Sequence, residues 1–213
     1  MSDAPERTTL DNLEIVAVVV LALATLATAW SGYQATRWGQ ESTLAQRDSN
    51  TARIKATRAS DLANSQTVID VSVFEQWVDA YAHDDTFLAD FYYARFRSEF
   101  KPAVDAWIAT MPLQNSDAPL TPFVMPEYVL AARQEAEQQD AITAAASAKV
   151  EPNLQRQANY VLCVVLFAMV LFLAGVTGRT PNRTLRLIIL GLGCVLFIGT
   201  LVWIATFPVS VSV

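Results

Sequence analysis

The sequence predicts an all-α integral membrane protein, built as one N-terminal span, a long helical extramembrane insertion and a C-terminal hairpin of two spans. Three observations predict it. Ile15 to Trp30, Tyr160 to Val176 and Leu187 to Phe207 are apolar runs with no charge inside, and at about 1.5 Å rise per residue each crosses or nearly crosses a hydrocarbon layer of roughly 30 Å. The charge sits between the runs: residues 33–156 hold 11 Lys and Arg against 17 Asp and Glu, a net charge of −6. Such a segment is solvated and unsuited to nucleic acid or to an acidic lipid surface. The insertion also lacks helix breakers, with no glycine between Gly39 and Gly175 and no proline between Gly39 and Pro102, where strands and turns would need such punctuation. Charged residues make up 17% of the chain, against a soluble average of about 25%.

Residues 1–12 are expected to be a cytoplasmic tail and 13–32 the first transmembrane helix. Ala27-Thr28-Ala29 has the form of a signal-peptidase site, but Arg7 is outnumbered by Asp3, Glu6, Asp11 and Glu14, so the n-region is not cationic and the run reads as an uncleaved anchor. Along it Ala24, Thr28, Gly32, Ala35 and Gly39 recur at three- and four-residue steps. This stripe of small groups suits close helix packing in lipid, with Thr28 able to add an interhelical hydrogen bond. It faces either the chain's own membrane helices or the same stripe on a neighbouring copy, and the second case makes a homo-oligomer.

The extramembrane helical domain is assigned to 33–156. Gln34 to Gln66 continues the first helix, with Ala45, Ala52, Ala56, Ala59 and Ala63 near heptad spacing, which permits a narrow helix seam. Glu127 to Val150, with Ala131, Ala141, Ala144, Ala145, Ala146 and Ala148, is its expected antiparallel partner in a coiled-coil stalk that leads through Pro152 into the second span. Val68 to Phe74, VIDVSVF, alternates like a strand and is read as a buried helix segment or a local break. Residues 74–107 carry ten of the chain's 21 aromatics. Their helical spacing marks most as core, and an exposed remainder would form a partner-binding or membrane-lying patch. Four prolines between Pro112 and Pro126 predict an irregular crossover.

The second transmembrane helix is placed at 157–177, an Arg-rich loop at 178–186, the third transmembrane helix at 187–207 and a short tail at 208–213. Arg179, Arg183 and Arg186 meet no acid in that loop, and short loops obey the positive-inside bias. The loop is therefore cytoplasmic, the N-terminus is cytoplasmic, and the central domain is periplasmic or extracellular. Arg37, Arg47, Lys149 and Arg156 at the flanks of the domain, and the acidic tail, oppose this orientation. Trp30, Tyr33 and Trp38, with Tyr160 opposite, suit an aromatic belt.

Reactive constellations are not apparent. His83, the one histidine, is followed by Asp84 and Asp85, but adjacent helix positions diverge and no second histidine or thiolate accompanies it, so a capped helix end fits better than a metal site. No nucleophile elbow unites Ser, His and Asp. The close glycine pairs, Gly175/Gly178 and Gly191/Gly193, lie at the end of the second run and inside the third, not at a strand-to-helix turn that cradles phosphate. Span interiors lack ionisable residues, with Glu14 and Arg186 only at the edges, which disfavours an ion-coupled transporter. Cys163 and Cys194 lie within apolar runs and read as small hydrophobes. No cofactor, metal or catalytic residue is expected.

Residues 29–38, AWSGYQATRW, with 158–162, ANYVL, and the Leu- and Phe-rich second span before an Arg-bearing hairpin, resemble a family of small uncharacterised bacterial three-span membrane proteins. The resemblance covers the spans and their flanks, implies the same plan, and supplies no activity. The functional expectation is a non-enzymatic bacterial inner-membrane protein whose outward helical domain serves assembly or protein interaction, through the aromatic segment 74–107. The alternative is a homo-oligomeric channel with the first transmembrane helix lining the axis, and a ring of Glu14 at one mouth.

Overall fold

The computed structural model describes residues 4–210, with side chains from residue 13 onward. These form helices α1 (Ala4–Ala82), α2 (Thr86–Tyr93), α3 (Lys101–Ala109), α4 (Ala131–Thr177) and α5 (Arg183–Ile204), with a 3₁₀ turn at Pro122–Val124 and no strand among the described residues. The chain divides into two compact units, residues 1–47 with 146–213 and residues 48–145.

Helix α1 turns one narrow row inward, at alternating steps of four and three residues. Ala45, Ser49, Ala52, Ala56, Ala59 and Ala63 are all buried on it. A 3.5-residue period is what a helix needs to keep one seam facing a partner over many turns. The VIDVSVF stretch lies inside α1 without a break. Val68 and Ile69 point outward while Asp70, Phe74 and Trp77 are buried, so contacts at helical spacing override the local strand preference.

In the first unit α4 runs antiparallel to α1: the Ser42 hydroxyl reaches the Val150 carbonyl at 3.4 Å, and a Cβ on Gly39 would lie 2.8 Å from the Gln157 amide nitrogen. Pro152 sits within α4, where it removes one backbone donor and presses on the preceding turn. In the second unit Ala63 packs with Leu130 and Ala132. Only part of the alanine set of α4 faces inward. Ala132 and Ala136 are buried in the second unit and Ala146 in the first, whereas Ala131, Ala141, Ala144, Ala145 and Ala148 point outward, because spacing rather than residue type selects the facing row.

Three helices are long and apolar enough to cross a membrane, the stretches Leu13–Ala82, Ala131–Thr177 and Arg183–Ile204 each containing one such window. Their inward faces form one cluster of Ala24, Cys163, Phe167, Val170 and Phe197. Leu26, Phe172 and Val195, 68%, 70% and 71% exposed, stand among many large apolar side chains turned outward around it, a surface far beyond the apolar patches that water tolerates. Lipid is the solvent that matches it.

The stretch after α5 folds back into this unit. Gln34, fully buried, accepts from the Ser210 backbone N–H at 3.0 Å and donates to its carbonyl at 3.4 Å. The Tyr160 hydroxyl donates to Pro208 at 3.1 Å and its ring meets Phe207 edge-on at 5.4 Å. Tyr160 is therefore a core residue, 1% exposed, and not a member of an outward aromatic belt. Trp30 and Tyr33, half exposed and 5.9 Å apart, keep that outward position.

The second unit closes on aromatics. Phe74, Trp77, Phe96, Phe100 and Trp107 are buried together, with Phe74 edge-on to Trp107 at 5.4 Å and Phe100 stacked on Phe123 at 5.0 Å. Each such side chain contributes about 1.5–3 kcal/mol through burial. Asp85 caps α2, accepting from the Leu88 N–H at 3.0 Å, and Asn182 caps α5 through Thr184 at 3.0 Å.

Candidate functional site

The helix-interface stripe separates by residue. Ala24 and Ala35 are buried, Ala24 against Cys163, Phe167 and Phe197 of the same chain, and Gly39 meets Gln157. The Thr28 hydroxyl donates to the Ala24 carbonyl of its own helix at 2.7 Å, so its side chain satisfies itself within the turn. Around Gly32 a Cβ would meet nothing within 4 Å. Three of the five positions thus serve packing within the chain, and Gly32 alone has open space beside it. Arg179, Arg183 and Arg186 cluster where α4 gives way to α5, with Arg179 and Arg183 exposed and Arg186 half-buried.

The aromatic segment 74–107 is mostly core, and Phe87 (81% exposed) is its one large outward ring besides Phe91. Phe91 is covered by the Arg95 guanidinium, 3.3 Å from its centroid. The second unit also exposes apolar side chains on α1 (Ile54, Leu62, Val68 and Ile69) and on the proline-rich crossover, where Leu120 is 93% exposed.

A polar network joins residues far apart in sequence in the second unit. Arg97 donates to Asp70 at 2.9 Å and to Glu99. The Tyr128 hydroxyl donates to the same Asp70 oxygen at 3.2 Å, and Glu99 accepts from the Ala131 N–H at 3.1 Å, capping α4. Burial pushes the Asp70 carboxyl above the ordinary carboxylate range, against the pull of Arg97 and the Tyr128 hydrogen bond. Burial likewise raises the Tyr128 hydroxyl. Tyr93, whose hydroxyl donates to Asp105 at 2.6 Å, is raised chiefly by that bond. An ion pair 2% exposed on its acidic side orders the elements it joins rather than adding much net stability.

A cleft of about 380 Å³ is lined by Phe74, Val78 and Trp107, which form its floor, and by Leu113, Asn115 and Leu120 of the crossover, which form its wall. Its outer wall is held in one shape. The Trp107 indole donates to the Pro119 carbonyl at 2.6 Å, the Asn115 amide donates to Thr110 at 3.2 Å, and the Asn115 oxygen accepts from the Asp117 N–H at 3.0 Å. Met111 takes a left-handed φ of 53°, a conformation that costs a bulky residue energy and persists only when its surroundings enforce it. A pinned loop, an aromatic floor and exposed leucine walls can grip an apolar side chain of a partner.

Sequence reasoning missed this cleft and the Gln34–Ser210 clamp. The Asp70 network left one trace, an acid inside the apolar stretch 68–74. Among the described residues no group of three or more His, Cys, Asp or Glu side chains could hold a metal. The cysteines are free and lie in the membrane unit, Cys163 buried and Cys194 half-buried. Comparison with protein-family models, characterised proteins and solved structures finds no match to the chain.

Proposed function

We propose that the chain is a non-enzymatic bacterial inner-membrane protein that holds a helical interaction module outward from the bilayer. In this reading α1 crosses once, α4 and α5 form the returning hairpin with Arg179, Arg183 and Arg186 in the cytoplasm, and the two Ala-rich helices pair as an antiparallel coiled coil. The observation that carries it is the cleft between Trp107 and Leu120: Leu120 is 93% exposed on a loop tied down by three hydrogen bonds. Surface leucines are ordinary singly. One that walls a rigid apolar cleft is placed for contact with another molecule.

The channel alternative is less well supported, because Ala24 on the small-residue face of α1 is fully buried against the chain's own helices and that face is not free to line an axis. Self-association in the membrane, which we retain as part of the proposal, rests on Gly32.

A photo-activatable cross-linker at Leu120, compared with one at exposed Gln138, tests the module in native membranes. Adducts formed from position 120 and absent from position 138 are expected. Equal adducts from both positions, or none from either, would overturn the reading.

A further inference from the structure

We infer that the segment docking in this cleft belongs to another protein and presents an apolar side chain flanked by Lys or Arg. The inference rests on the interaction reading above and adds the chemistry of the partner. The cleft is assembled from stretches that contain no Lys or Arg at all, residues 59–94 and 102–132. Within them Glu75 follows Phe74 of the floor, Asp79 follows Val78 of the floor, and Asp117 lies between Ser116 and Ala118 of the wall, each of the three exposed.

The three basic residues between these stretches are engaged elsewhere. Arg95 lies over Phe91 and donates to its carbonyl at 2.8 Å. Arg97 is held by Asp70 and Glu99, and Lys101 sits 5.4 Å from the Tyr93 ring. The stretches that build the cleft therefore expose acids next in sequence to its lining and carry no Lys or Arg, His83 beside Asp79 at 3.5 Å being their one basic side chain, and a surface of that sign steers a cationic partner toward the cleft while repelling an anionic one. A second copy of the same module would bring acid against acid.

The test uses the full chain in zwitterionic-lipid nanodiscs and three dye-labelled twelve-residue peptides read by fluorescence anisotropy: Leu with Lys, Leu in the same order with Glu, and Ser with Lys. Empty nanodiscs give the lipid background. The Leu/Lys peptide is expected to bind, and its affinity to fall about tenfold or more with Leu120→Asp, the scale of losing a contact anchor. Leu113→Asp repeats the test on the other wall, and far-UV circular dichroism checks that each variant is folded. In Glu75→Gln/Asp79→Asn/Asp117→Asn the binding should weaken and lose most of its dependence on salt. Leu120-dependent binding of the Leu/Glu peptide as tight as that of Leu/Lys would overturn the charge inference and leave the interaction reading standing. Binding that neither leucine substitution changes would overturn the interaction reading itself, as would equal binding of the Ser/Lys peptide.

Discussion

At the scale of single residues the sharpest consequences come from Asp70. Its carboxylate is buried and depends on Arg97 and Tyr128 for compensation, so Arg97→Met strands a charge. Because the guanidinium is partly solvated, we expect a loss of about 2–3 kcal/mol, less than for a fully buried pair, measured by denaturant melts of the full chain. The sign of the pH dependence follows from the raised carboxyl of Asp70. Its contribution to stability is complete below the unfolded value of about 3.9 and is lost as pH rises through the higher folded value. Arg97→Met should therefore be less damaging at pH 4 than at pH 7, and Asp70→Asn should flatten the profile across that window. In the membrane unit, Ala24→Leu should disrupt internal packing, at about 1–3 kcal/mol for overpacking. Gly32→Leu, with nothing within 4 Å of its Cβ, should leave stability unchanged and lower the oligomeric state seen by light scattering. An unchanged assembly in the Gly32 variant would remove the self-association proposal.

At the scale of elements, the long helices are selected by what faces inward. Leucine at Ala52 or Ala59, both on the buried row of α1, should cost about 1–3 kcal/mol each, while Ile54→Ala on the exposed face should be nearly neutral. Thermal unfolding followed by helical signal separates the two faces. The stretch after α5 depends on Gln34 in the same way. Gln34→Ala deletes both bonds to Ser210, and a cysteine placed at Ser210 should then react with a thiol reagent about tenfold faster, as expected from losing roughly 1.4 kcal/mol of hydrogen bonding. These elements differ in how far the sequence revealed them. The continuation of α1 past Gln34 and the seam at Ala45, Ala52, Ala56, Ala59 and Ala63 were legible, because breaker absence and small-residue spacing are local properties. Which side of α4 faces inward was not legible, because alanine is abundant on both sides of that helix and only the partner decides which side is covered.

For the molecule as a whole, the membrane helices were legible because their apolar character needs no partner to be recognised, whereas the candidate site was not. Asp70 is joined to Arg97 across 27 residues and to Tyr128 across 58, and no pattern announces such contacts in a single sequence. Tyr160 was misplaced for the same reason, since the Pro208 carbonyl that takes its hydroxyl is 48 residues away. The cleft was hidden further because the crossover that walls it is irregular backbone, fixed by the Trp107 and Asn115 bonds and not by any repeat. The central claim is that this cleft stands open on the outward side of the bacterial membrane. The direct measurement places a cysteine at Asn115, on the cleft wall, in a background with Cys163 and Cys194 replaced by Ala, and treats intact cells with a membrane-impermeant thiol reagent. Labelling in intact cells is predicted; labelling that appears only after lysis would place the module in the cytoplasm and contradict the claim.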